Sequence, residues 1–140
     1  MRLDLEHREQ ANVIRWWALA HRGFGLPEFA LLAVPNGGLR TQATAGKLYA
    51  EGVRRGVYDL ELPVAAGAFH GFRAEMKSAN GRPTPQQIAF GAWCDSMGWK
   101  TVVCYNSGEA IDAIKAYLAA YLSQAMIRSR DTELQRAAVS

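Results

Sequence analysis

Two apolar runs, "GVYDLELPV" (56–64) and "FHGFRAEMK" (69–77), flank the short turn-like "AAGA". Runs of this length, rich in Val, Leu, Phe and Tyr and bounded by turn residues, predict an antiparallel hairpin. A hairpin commits the chain to a sheet, and this one carries its charges in unusual places. In the second run, Phe72, Ala74 and Met76 take one face, and Arg73, Glu75 and Lys77 the other. In the first run, Val57, Leu60 and Leu62 do not alternate strictly, so the face of Asp59 is left open. Antiparallel pairing brings Asp59 near Glu75 or Lys77 across the ladder.

The remaining segments predict helices and strands around that hairpin. Residues 4–22 form an amphipathic helix, with Asp4 as N-cap and Leu3, Val13, Ile14 and Trp17 on one arc. "FALLAV" (29–34) is a short buried strand ended by "PNGG", and "RTQATAGKLYAEG" a short helix stopped by Gly52. After the loop "SANGRP", Thr84 caps a helix with Pro85 at its first position, running to about Met97. "WKTVVCYN" is a further strand. Ser107 caps the last helix, whose inner side is Ile111, Ile114, Tyr117, Leu118 and Tyr121. The order α-β-α-β-β-α-β-α is that of an α/β domain with a mixed central sheet flanked by helices. It occupies residues 1–123 of the 140, leaving 124–140 as a tail expected to be mobile.

Composition narrows the function. Hydrophobic content of 49% and charged content of 21% are those of an ordinary globular domain, and no apolar run reaches membrane-spanning length. The charged start "MRLDLEHREQ" is not a secretory signal. Cys94 and Cys104 sit in apolar stretches without metal-type spacing, and are expected to be reduced core residues of a cytoplasmic protein. A net charge of +3 permits a polyanionic partner. Arg40, Lys47, Arg54 and Arg55 cluster in one segment, with Arg82 further on. No G-x-S-x-G, P-loop or G-x-G-x-x-G is present, and no His/Cys cluster suits zinc. Trp16, Trp17, Trp93 and Trp99 are expected in the core or at an interface, and His7 and His21 in solvent. His70 is expected to have a structural role at the hairpin edge.

Two readings fit Asp59, Glu75 and Lys77. One is a solvated sheet face with charge pairing. The other is a metal site, in which two carboxylates on adjacent strands share a hard divalent cation and a lysine assists the attacking water. Glu6, at the centre of the first helix's apolar arc, is either a residue favoured by the helix dipole or a third acid of that site. Gln87, one turn into its helix, is either exposed or positioned to hold a water or phosphate. "VPNGGLR" (34–40) is either a tight turn or a set of backbone amides beside Arg40 that suits phosphate.

The ordered segments "GVRRGVYDLEL", "HGFRAEMK", "GRPTPQQ" and "GWKTVVCYNSGEAIDAIKAYL", with "EHREQANVIRWW" before them, resemble the VRR-NUC domain. That family belongs to the PD-(D/E)xK nuclease superfamily, whose core is restriction-endonuclease-like. The resemblance spans roughly residues 4–121. It implies that Asp59 and Glu75 bind Mg²⁺ or Mn²⁺, joined by Glu6, that Lys77 assists the nucleophilic water, and that Gln87 belongs to the site. Val53, Arg54 and Arg55 match the "VRR" of the name. The superfamily's "PD" reads Tyr58-Asp59 here.

The implied activity is a metal-dependent DNA endonuclease, with Arg40, Lys47, Arg54, Arg55 and Arg82 on the DNA. No organic cofactor and no membrane partner are expected. A compact domain without a helix-turn-helix or finger has little surface for reading bases, so shape and backbone should guide it. Small family members, often phage-encoded, resemble Holliday-junction resolvases that act as homodimers. A homodimer acting on branched DNA is therefore expected here. The rivals are a non-catalytic DNA-binding module on the same fold, and a nickase or nuclease within a phage replication or packaging complex.

Overall fold

The computed structural model describes residues 2–35 and 41–140. The turn 36–39, Arg40 and the side chain of Leu3, all part of the expectations above, lie outside the described residues. The element order is α1 (Arg2–Ala20), β1 (Leu32–Ala33), α2 (Gln42–Ala50), β2 (Leu60–Leu62), β3 (Phe72–Met76), α3 (Pro85–Ser96), β4 (Lys100–Cys104) and α4 (Ser107–Val139). It is the order expected from sequence. The strands form one mixed sheet in spatial order β1-β2-β3-β4. β1/β2 and β2/β3 are antiparallel, and β3/β4 are parallel, joined by the α3 crossover.

Alternation on β3 decides which helix covers which face. Phe72, Ala74 and Met76 are buried in the main core with Val13 and Trp17 of α1 and Ile114 and Leu118 of α4. The opposite face lies under α3. There Arg73 pairs with Glu61 at 3.0 Å and sits 5.1 Å from the ring centres of both Phe90 and Trp99. Thr101 of β4 donates to Asp95 of α3 at 2.6 Å. Glu9 of α1 accepts the Ser107 amide at 2.6 Å, tying α1 to the start of α4.

Several local expectations are corrected. α1 begins at Arg2, so Asp4 lies inside its first turn and is not the N-cap. β1 keeps only two residues, because Glu28–Ala30 winds into a 3₁₀ turn whose Glu28 carbonyl accepts from the Trp17 indole. The cap of α4 is Asn106, whose side chain accepts from the Glu109 amide at 2.8 Å, and Ser107 is the first helical residue. α4 continues to Val139, so residues 124–139, expected outside the helix, extend it with almost every side chain exposed. His21 is buried, its Nδ1 2.8 Å from the Leu26 carbonyl oxygen, and is not in solvent. Of the tryptophans expected in the core or at an interface, Trp17 is core and Trp93 stands on the surface, 62% exposed. Both cysteines are free and buried, and burial pushes the Cys104 thiol up to about 11. Among the described residues, no helix is long and apolar enough to cross a membrane.

The "RRG" turn is pinned from above. Gly56 has φ +89°, and a Cβ there would lie 2.6 Å from the carbonyl carbon and oxygen of Gln86, at the start of α3. Gly56→Ala is therefore expected to destabilise the fold by about 1–3 kcal/mol, from a left-handed backbone and a backbone collision together. Urea denaturation checks this, and an unchanged midpoint would show that the turn is not held against α3.

Candidate active site

The β2–β3 register pairs Leu60 with Ala74, so one step further along the ladder Asp59 faces Glu75. Each acid is held by the other strand's backbone. Asp59 Oδ2 accepts from the Met76 amide at 2.9 Å, and Glu75 Oε2 accepts from the Asp59 amide at 3.2 Å. Glu75 is only 3% exposed. Its Oε1 takes two further donors, Gln87 Nε2 at 2.6 Å and Lys77 Nζ at 3.5 Å. The open face of Asp59 is thereby settled: it belongs with Glu75 and Lys77, beside the first turn of α3.

Glu6 reaches the same end of β3 from α1. Its Oε1 accepts from the Ser78 amide at 3.0 Å, just past Lys77. Among the described residues, however, no three His, Cys, Asp or Glu side chains come together as a metal-holding group. The structure brings Asp59 and Glu75 together, and places Glu6 nearby on a backbone amide. Gln87 is not an exposed helix residue. It is engaged at both ends of its side chain, its Oε1 accepting from the Thr84 amide at 2.8 Å.

The basic residues are more scattered. Lys47 on α2, Arg55 in the turn and Arg82 before α3 are exposed. Arg54 is exposed but engaged. It donates to the Tyr49 carbonyl at 2.8 Å and lies 4.4 Å from the centre of the Tyr49 ring. Tyr58 is buried against Phe90 and Gly91 of α3. His70 packs on Gly98 at the hairpin edge.

Burial makes this a high-energy place for negative charge. Desolvation, then the Asp59 charge, pushes Glu75 up to about 8, with Lys77 opposing. Desolvation also raises Asp59, against the Met76 amide and Lys77, which lower it.

A solved structure of a VRR_NUC domain protein is similar to this chain, with a TM-score of 0.71 and 26% identity, covering 83% of this chain and 89% of that one. No family model and no curated protein matches the chain. The four-stranded mixed sheet flanked by helices, with this match, defines a nuclease-fold α/β domain. Within that class the chain is similar to a VRR_NUC domain protein over most of its length.

The raised acid has a consequence for stability. In metal-free protein the folded state holds the Glu75 proton more tightly than the unfolded chain, where the value is 4.5. Its contribution is full below that value and is lost as pH rises through about 8. Asp59 shifts in the same direction. Urea midpoints in EDTA are expected to fall from about pH 5 to about pH 8, and Glu75→Gln to flatten that slope. A midpoint that rises across the interval would contradict the burial of the pair.

Proposed function

We propose that the protein is a Mg²⁺- or Mn²⁺-dependent DNA endonuclease that hydrolyses phosphodiester bonds in branched DNA as a homodimer. The observation that carries this reading is the meeting of Asp59 and Glu75 across β2 and β3, with Lys77 on the same carboxylate. The donor set fits a hard cation, which takes oxygen ligands. Both acids are desolvated, so a positive charge between them would offset their burial.

Asp59 and Glu75 would hold the ion, and the chemistry it supplies when bound is activation of water and neutralisation of phosphate charge. The chain's own groups do the rest. Lys77, 12% exposed, presents an ammonium beside Glu75 that can donate to negative charge developing on the attacking oxygen or the phosphate. Gln87 and the Asp59 amide hold the Glu75 carboxylate in plane. Glu6 fixes the backbone where β3 ends. Lys47, Arg55 and Arg82 are available for the phosphate backbone, and Arg54 braces the turn through Tyr49.

The proposed homodimer would use exposed apolar surface at the end of α3. Trp93 on α3 and Met97 just past its end, four residues apart, are both exposed and give an apolar patch, with exposed Ile88 on another side of the helix. Two copies would give two active sites for two strands, with selection by shape.

Cleavage of a four-way junction, a nicked duplex and a linear duplex, with Mg²⁺ or Mn²⁺ and with EDTA, tests this reading. The expected result is metal-dependent paired incision, fastest on the junction, by a species near twice 15.4 kDa in light scattering. Lys77→Ala is expected to lower the cleavage rate by about 100-fold or more while DNA affinity changes little, since affinity is spread over many cations. Wild-type turnover by that variant would refute the role of Lys77. A monomer cutting linear duplex as fast as junctions would refute the branched-DNA dimer.

A further inference from the structure

Gln87 joins the start of a helix to a buried acid. Thr84 and Gln87 form a reciprocal capping box: Thr84 Oγ1 accepts from the Gln87 amide at 3.2 Å, and Gln87 Oε1 accepts from the Thr84 amide at 2.8 Å. A side-chain amide has one accepting and one donating end. The Thr84 N–H can meet only the oxygen, so the NH₂ group is left facing Glu75, where it donates to Oε1 at 2.6 Å. The cap therefore decides which end of Gln87 the acid sees. Without it the terminal torsion of Gln87, which is soft, could turn the amide.

The same first turn is buttressed from the other side. Gly56 lies directly against the Gln86 backbone, leaving no room for a Cβ. Glu75 is in turn gripped at two points, Oε2 by the Asp59 amide and Oε1 by Gln87, with Lys77 more distant at 3.5 Å. Loss of the Gln87 arm leaves the plane of the carboxylate to one backbone donor and one flexible ammonium.

We infer that Thr84 is a positioning residue of this site: its capping box locks Gln87 in the orientation that donates to Glu75, and so sets the attitude of Glu75 toward Asp59. The functional consequence rests on the nuclease reading; the lock itself does not.

The experiment compares wild type with Thr84→Val, which keeps the residue-84 N–H but removes the cap oxygen that holds the Gln87 backbone in register with it, and with Thr84→Ser and Thr84→Asn, which supply one. The first readout needs neither metal nor DNA. In ¹⁵N-resolved NMR of the metal-free protein, the two Gln87 side-chain amide protons are expected to be widely split by the bond to Glu75. The splitting should collapse in Thr84→Val and persist in Thr84→Ser and Thr84→Asn. The second readout is cleavage and Mn²⁺ binding. Thr84→Val is expected to lower kcat about tenfold and to raise the half-saturating Mn²⁺ about tenfold, with KM for DNA unchanged, as for the loss of a group that orients a metal ligand. The serine and asparagine variants should stay near wild type.

A plain helix cap would lower Tm by a few degrees and leave kcat and the Mn²⁺ response alone. Persistence of the split Gln87 signals in Thr84→Val overturns the lock. Their collapse with kcat and Mn²⁺ binding unchanged overturns the positioning role. A wild-type protein that neither cleaves DNA nor binds Mn²⁺ overturns the nuclease reading instead, and the NMR comparison still decides the lock.

Discussion

Each of the two acids in this fold is held by a main-chain amide of the facing strand, and the site depends on that exchange. Asp59 takes the Met76 N–H and Glu75 takes the Asp59 N–H. Two carboxylates this close, in a place this desolvated, would repel. The β2–β3 register keeps them together regardless, because slipping by one residue would turn Phe72, Ala74 and Met76 out of the core. Core packing thus supplies the energy that keeps the acids in contact.

Helices then bring the remaining groups to the acids from both sides of the sheet. α3 delivers Gln87 to Glu75 from its capped first turn, and Lys77 follows on from β3 itself. α1 delivers Glu6 to the Ser78 amide, and is fixed in place by Val13 and Trp17 in the core and by Glu9 on α4. Glu75 therefore stands on a strand, Asp59 directly ahead of one, and the orienting amide on a helix, which positions them more tightly than long loops would.

Much of this was legible in the residues. Strict alternation over 72–77 placed Glu75 and Lys77 on one face, and turn residues around 65–68 implied the hairpin that brings Asp59 to them. The VRR-NUC resemblance, carried by ordered segments, agrees with the solved structure that matches this fold. Other features depend on contacts distant in sequence. Nothing local says that Glu6 reaches Ser78, 72 residues away. Some signals were present but misassigned. Asn106 and Glu109 stand at capping-box spacing, and the cap lies there, not at Ser107. Trp93, expected in the core or at an interface, stands on the surface. The last turns of α4 show no apolar stripe, because little packs against them.

The central claim is that Asp59 and Glu75 form one cation-holding pair. A crystal grown with Mn²⁺ and recorded at the manganese edge tests it most directly. The account predicts one anomalous peak within about 2.5 Å of oxygens from both carboxylates. Saturating Mn²⁺ with no peak between Asp59 and Glu75, in crystals where both side chains are ordered, would contradict it.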